Sequence, residues 1–327
     1  MKIKSSNIEE LTIALQSAKE EYKSIMESID SVAGKGQDLF STNPFTSDDN
    51  YLISGDNLEV LNKLIAIKGE SSDGASLIYI DPPFYSGMDR SAVVREVDCA
   101  EAKHAYKDNW DNLGEYLEMM ALRLLLMKDV LADDGLIFVH VDWHAVHYIR
   151  LLMDEVFGED RFVNEIIWTY KSGGSSKRRF ARKHDNILVY SKSKDYRFFV
   201  QKEKSYNRGL KPYRFKDVEE FQDDVGWYTL VNMKDVWNVD MVGRTSSERN
   251  GYATQKPEKL MERIILSATE PGDLVCDFFC GSGSMGASCA KLGRRFVMSD
   301  IGELAIEIAG DRLKKEGVEF SLLQIDN

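Results

Sequence analysis

Cysteine, histidine and proline are scarce, at four, five and six residues in a chain of 327. Four thiols, Cys99, Cys276, Cys280 and Cys289, are too few to staple a chain of this length and read as reduced side chains. Cys276 and Cys280 stand close together without a matching His or Cys pair, which argues against structural zinc. Long hydrophobic runs are missing as well: no apolar stretch reaches the roughly 18 residues of a membrane span, and no charged-then-apolar segment opens the chain. No membrane association is expected, and a cytoplasmic location is. Positive charge is in deficit, with 42 Lys and Arg against 54 Asp and Glu, a net charge of −12. Taken alone, that deficit argues against a nucleic-acid partner.

What remains is an ordinary globular composition, 43% hydrophobic and 29% charged, long enough for a large core and one or two domains. Its most informative stretch is Leu77-Ile78-Tyr79-Ile80-Asp81-Pro82-Pro83-Phe84. Proline has no N–H for a sheet ladder and restricts the residue before it, so Pro82 and Pro83 end the strand and stiffen the turn beyond it. A carboxylate, a free carbonyl and an aromatic face are thereby held at a strand's carboxyl end, where open α/β sheets bind ligands. Two acceptors beside a ring suit a planar amino group with two N–H donors, such as the exocyclic amine of a flipped-out base. The plainer reading is a capped turn beside structural prolines.

A second apolar strand, Leu274 to Asp277, runs into Phe278-Phe279-Cys280-Gly281-Ser282-Gly283-Ser284-Met285-Gly286 and then a small-residue helix from Ala287 to Leu292. Glycines at 281, 283 and 286 let backbone N–H groups approach a ligand. The spacing G-x-G-x-x-G also fits a dinucleotide site. Asp277 and Phe279 just before the first glycine, and only about 40 residues after the last, argue against it, because a dinucleotide needs a second mononucleotide-binding half. The next strand, Arg295 to Asp300, ends in an acid placed to accept from ribose hydroxyls.

Charge is distributed unevenly. Residues 171 to 216 hold fifteen Lys or Arg against three acids, a local charge of +12 that leaves −24 on the rest. Within it, Lys171-Ser172-Gly173-Gly174-Ser175-Ser176-Lys177-Arg178-Arg179-Phe180-Ala181-Arg182-Lys183-His184 combines glycines, serines and cations in a loop suited to phosphate oxygens. Such a run is often only a solvated face.

Around these motifs, apolar residues at near-helical spacing from Ile8 to Ile29 predict an amphipathic helix that packs on the core or on another subunit. Gly34-Lys35-Gly36 links it to the body. A strand from Tyr51 to Ser54 and a helix from Leu58 to Ile67 precede the Asp81 strand. Ser86 to Asn112 is polar with little periodicity and reads as a lid in which Tyr106, Asp108 and Trp110 order over a ligand. A helix from Leu113 to Leu131 ends at Asp133-Asp134-Gly135, and strands Leu136 to Val141, Asn164 to Tyr170 and Asn186 to Tyr190 come after it. From Ser191 to Asn250 the pattern is irregular, charged and aromatic. His140, Asp142, His144 and His147 invite a metal reading, but His140 sits in an apolar strand and no further carboxylate recurs at ligand spacing, so no metal is expected.

Asp81-Pro82-Pro83-Phe84 followed some two hundred residues later by Asp277-x-Phe279-x-Gly281-x-Gly283 resembles the catalytic and cofactor motifs of β-group amino-directed DNA methyltransferases. The chain is similar to the modification subunits of type III and type II restriction-modification systems. Ser54-Gly55-Asp56-Asn57-Leu58, Leu131 to Val139 and Thr254-Gln255-Lys256-Pro257 extend the resemblance over roughly residues 50 to 315. It implies an α/β fold, Rossmann-like, with a mostly parallel seven-stranded sheet in circularly permuted motif order and a small inserted target-recognition region. Residues 1–34 would form the N-terminal helix, 35–190 the catalytic half with the basic loop 171–184, 191–250 the recognition region and 251–327 the S-adenosylmethionine-binding half.

The implied reaction is direct methyl transfer from S-adenosylmethionine to adenine N6 of a flipped-out base in double-stranded DNA. Asp81, Pro82, Pro83 and Phe84 would be catalytic. Asp277, Phe279, Gly281 and Gly283 would hold the methionine half of the cofactor, Asp300 its ribose, Asp56 its adenine and Lys256 its carboxylate. Between the two halves, Lys177, Arg178, Arg179, Arg182 and Lys183 become DNA-contacting residues. Asp rather than Ser at position 81 favours adenine N6 over cytosine N4, and Phe84 replaces the commoner tyrosine. A homodimer and a cognate restriction subunit are the expected partners. N4-cytosine methylation, RNA or protein-amide methylation, and a non-catalytic DNA-binding subunit are the alternatives.

Overall fold

The computed structural model describes residues 6–31, 39–69, 73–87, 90–96, 99–106, 108, 110–171, 176–243, 245–252 and 254–325. The link Gly34-Lys35-Gly36 and the loop residues Ser172 to Ser175 lie outside them. In chain order the elements are α1 (Asn7–Ser31), β1 (Tyr51–Ser54), α2 (Asn57–Lys68), β2 (Ala75–Ile80), β3 (Arg90–Glu96), β4 (Cys99–Tyr106), α3 (Leu113–Val130), β5 (Leu131–Val141), α4 (Val146–Phe157), β6 (Phe162–Thr169) and β7 (His184–Ser191). They continue with β8 (Lys202–Tyr206), β9 (Phe221–Gln222), β10 (Trp227–Asn232), β11 (Val236–Asn238), α5 (Glu258–Ala268), β12 (Leu274–Asp277), α6 (Ser284–Lys291), β13 (Arg295–Asp300), α7 (Glu303–Lys315) and β14 (Ser321–Gln324).

One sheet organises the body, in the order β11-β6-β7-β5-β2-β12-β13-β1-β14. Among the described residues, strand β7 alone runs against its neighbours β5 and β6, and every other pairing in this sheet is parallel. Strands β2 and β12 are buried along their whole length, as parallel strands covered on both faces must be. The expected seven strands become nine because β11 and β14, of three and four residues, extend the two edges. Elements that short carry almost no periodic signal. No helix among the described residues is long and apolar enough to cross a membrane.

Strands β2 and β12 pair through Leu77↔Val275 and Ile78↔Cys276. From β2 the chain moves outward to β5; from β12 it moves the other way, to β13. The strand order therefore reverses between β2 and β12, which makes their carboxyl ends the crevice of the sheet. Asp81 and the glycine turn emerge side by side there.

Two further regions differ from expectation. Ser86 to Asn112 holds the antiparallel hairpin β3-β4 rather than an unstructured lid. The region 191–250 builds a small antiparallel sheet, β8-β10-β9, and also contributes β11 to the main sheet beside β6. It is thus anchored to the body rather than only appended to it.

Helix α1 lies on α3 through small residues: Ala14 and Ala18 are buried, Ser17 Oγ donates to Glu118 at 2.5 Å and Tyr22 Oη to Asp129 at 2.7 Å. Close approach depends on those alanines, so Ala18→Leu should overpack the contact and destabilise the protein by roughly 1–3 kcal/mol, measured as a lowered midpoint in reversible denaturation. An unchanged midpoint would mean that α1 is not docked as described.

Candidate active site

Pro82 and Pro83 end β2, and the turn beyond them is held by an acid expected instead over a ligand. Asp108, buried, accepts from the backbone N–H groups of Tyr85 at 2.9 Å and Ser86 at 3.0 Å, and from Ser86 Oγ at 2.5 Å. Tyr85 adopts a positive φ of 58°, a conformation a non-glycine residue keeps only under such restraint. The role of Asp108 is to fix the turn that presents Asp81 and Phe84.

The two Asp81 oxygens differ. Oδ2 is ion-paired with Lys256 Nζ. Oδ1 is buried, makes no hydrogen bond among the described residues and lies 3.9 Å from His140 Nδ1. A buried acceptor without a donor costs free energy, on the order of 1–3 kcal/mol, and is a signature of a binding position. The Phe84 ring stacks on His140, with centroids 5.9 Å apart and a 30° tilt, and the Lys256 ammonium lies 5.6 Å from the Phe84 centroid. Lys256, expected at the cofactor's carboxylate, bridges the two motifs. Its carbonyl accepts from Ser284 Oγ at 2.8 Å at the start of α6, and Arg312 donates to that hydroxyl at 2.9 Å.

Next to Asp81 opens a cavity of about 610 Å³, lined by Asp56, Asn57, Trp110, Arg123, Phe279, Gly281, Asp300 and neighbouring residues. Gly281 and Gly283 take positive φ values of 48° and 72°. A Cβ on Gly283 would stand 2.9 Å from Ala309 Cβ, so the turn requires glycine there sterically as well as conformationally. Gly286 serves packing only, with a Cβ position 2.4 Å from Met298 Cε.

The acids in the crevice are held by backbone amides. Asp300 accepts from Gly281 N at 2.9 Å and Gly302 N at 2.8 Å. Burial pushes its pKa above the usual carboxylate value, although those N–H donors oppose the rise. Burial raises Asp277 still further; the Phe279 N–H, which it accepts at 3.1 Å, pulls the other way, and the charges of Asp81 and Asp300 reinforce the rise. Asp56 caps α2, accepting from Leu58 N at 2.9 Å, and pairs with Arg123 Nη2 at 2.8 Å, both through Oδ1. Trp110, expected over a ligand, does line the cavity, whereas Arg123 and Tyr252 escape sequence reasoning as cavity residues. Arg123 comes from α3 and Tyr252 from the loop before α5, and nothing local marks them.

The basic loop leaves the carboxyl end of β6, which runs parallel to β2, so it lies on the same edge as Asp81. Lys177, Arg178, Arg179 and Arg182 are exposed, Lys183 is partly covered, and Phe180 among them is 97% exposed. The Arg182 guanidinium lies 3.3 Å from the centroid of the Trp143 ring, tethering the loop to the end of β5. The histidines singled out in sequence point elsewhere: His144 Nδ1 pairs with Asp142 at 2.8 Å, while His140 bonds Tyr79 and Asp185.

A DNA methylase family, the N6/N4 methyltransferases, matches residues 75–311. The type II methyltransferase M.EcaI of Enterobacter cloacae is 30% identical over 311 residues, covering 77% of this chain and 66% of that enzyme. The DNA adenine methyltransferase YhdJ of Escherichia coli is 27% identical, over 82% of this chain and 84% of its own. Among solved structures, that of the M1.HpyAVI–SAM complex superposes with a TM-score of 0.51 at 18% identity, covering 80% of this chain and 98% of that one, a likeness of fold. With the Asp81 to Phe84 turn and the glycine turn both inside the matched span, the chain belongs to the N6/N4 DNA methylase family.

Proposed function

We propose that this chain transfers a methyl group from S-adenosylmethionine to adenine N6 of a base flipped out of duplex DNA. The observation that carries this reading is the buried Asp81 Oδ1, unpartnered among the described residues, at the mouth of the cavity beside the glycine turn. Pro82, lacking an N–H, adds only a carbonyl acceptor. Together they can take both hydrogens of an exocyclic amino group, while Phe84 offers a stacking face. Drawing on both N–H bonds raises electron density on a nitrogen whose lone pair is otherwise delocalised into the ring. Extruding the base costs a few kcal/mol. Alignment of nitrogen for in-line attack is what the rigid turn on Asp108 contributes.

The residues present fit S-adenosylmethionine, which when bound supplies a methyl group on a sulfonium. The cavity volume lies in the range of small-ligand sites. Asp300 would accept from the ribose hydroxyls, and Asp56, whose described contacts use only Oδ1, would meet the adenine through Oδ2. Asp277, Phe279, Gly281 and Gly283 would cradle the methionine half, and its ammonium would favour the ionised form of Asp277. Lys256 stands at the junction, able to exchange Asp81 for a cofactor carboxylate.

Adenine rather than cytosine rests on Asp at position 81 and on the likeness to an adenine methyltransferase. The same reading includes a cytoplasmic setting, a cognate restriction subunit and a second copy of the chain, the last supported by exposed Ile8 and Ile13 on α1.

Three outcomes are expected. DNA from cells expressing the protein should contain N6-methyladenine by mass spectrometry, and Asp81→Ala should lower transfer by at least about 100-fold; N4-methylcytosine instead, methylated RNA or protein alone, or no product would select the corresponding alternative. Neutralising Lys177, Arg178, Arg179, Arg182 and Lys183 together should weaken DNA binding and reduce the salt slope by about 0.9 for each phosphate no longer neutralised, so an unaltered slope would remove the loop from the interface. Finally, calorimetric affinity for S-adenosylhomocysteine should fall as pH is lowered, starting above the usual carboxylate range because burial raises the Asp300 pKa and protonation removes an acceptor. Asp300→Asn should bind more weakly and with a flatter pH dependence.

A further inference from the structure

Among the described residues Phe180 is the most exposed large apolar side chain, at 97%, and no step above uses it. Single exposed apolar residues are common and need no purpose. This one has unusual neighbours: Lys177, Arg178 and Arg179 precede it, and Arg182 and Lys183 follow. Cations select an anionic partner, whereas a bare ring gains by stacking. Duplex DNA offers both, with phosphates outside and base faces within, once a base has left the stack.

The segment after Phe180 is pinned to the sheet. The Tyr170 N–H donates to the Lys183 carbonyl at 3.1 Å, and the Arg182 guanidinium lies 3.3 Å from the Trp143 centroid. Trp143 in turn fixes where that anchor sits relative to the site. Val139 of β5 pairs with Ile80 of β2, so Trp143 and Phe84, each four residues further on, leave adjacent strands at one level. Phe180 is two residues from Arg182, a span of at most about 7 Å. An apolar ring is thus presented on an anchored arm beside the turn that would receive an extruded base.

We propose that Phe180 enters the duplex as the target base leaves it, stacking between the base pairs on either side of the gap. Removing a base from the stack exposes two base faces to water, and a ring buried between them offsets part of that cost. The flanking cations would hold the backbone around the wedge, and a ring already exposed in the free protein needs no rearrangement of the core to insert. The inference rests on the methyltransferase reading above and adds to it a residue that acts on the DNA rather than on the methyl group.

Sequencing the modified positions in DNA from expressing cells supplies the duplex for the test. Single-turnover methyl transfer is measured on that duplex and on a second in which the target adenine is mispaired and so already partly unstacked. Phe180→Ala should slow transfer to the paired duplex by about 10–100-fold and to the mispaired one by less than about threefold. Phe180→Trp, which keeps a stacking ring, should restore most of the rate. With 2-aminopurine in place of the target adenine, the emission that rises when the base unstacks should rise less for Phe180→Ala than for the wild type. The thermal midpoint, the affinity for S-adenosylhomocysteine and the salt slope of DNA binding should stay unchanged, because neither a core contact nor a cation is lost. A residue that only shaped the loop for phosphate contact would affect both duplexes alike. A wild-type rate of Phe180→Ala on the paired duplex, or an equal loss on both duplexes, overturns the inference. A wild-type protein that methylates no DNA overturns the reading of the site, and this inference with it.

Discussion

The parallel pairing of β2 with β12 is the constraint on which the rest depends. Leu77 opposite Val275 and Ile78 opposite Cys276 bring together two turns that the chain separates by about two hundred residues. Neither turn is a site by itself. Asp81 without the glycine turn is an acid at the end of a strand, and the glycine turn without Asp81 is a cradle with nothing to act on. Because both strands are buried on both faces, their register is held by packing on each side, and a slip of one residue would turn every side chain over. Lys256 locks the arrangement at its open end by pairing with Asp81 across the junction.

Burial of acids is the energetic consequence. Asp277, Asp300 and Asp185 all lie deep in the crevice and Asp81 is largely covered, facing one lysine and a histidine. Each is held by backbone amides or by a side-chain donor rather than left to solvent, except for Asp81 Oδ1. A stable protein tolerates few such atoms, and this one belongs to a residue that lines the cavity. The raised carboxyl groups of Asp277 and Asp300 obey the same rule: burial disfavours their charge, and a ligand bearing an ammonium or hydroxyl donors would restore it.

Much of this frame was legible in sequence because it is encoded locally. Strand breakers after Ile80, glycines after Cys280 and an acid closing Arg295 to Asp300 each act within a few residues, and the observed strands end where those signals lie. The N-terminal helix was readable from its apolar spacing, although spacing could not say that α3 would be its partner. What escaped was non-local or short. The hairpin β3-β4 lacks clean alternation, β11 and β14 are too brief to show a period, and Arg123 and Tyr252 reach the cavity only through the fold. Asp108 was visible as a residue but expected over a ligand, whereas it holds the turn after Pro83. Its partners, Tyr85 and Ser86, lie more than twenty residues away in the chain.

The placement of charge completes the logic. The −24 carried outside residues 171–216 repels a phosphate backbone. Six of the fifteen cations of residues 171–216 lie on one edge between β6 and β7, where Arg182 sits over Trp143. Since β6 runs parallel to β2, that edge is also where Asp81 and Phe84 emerge. The sheet topology that brings the two motifs together thus also sets these cations on the same edge.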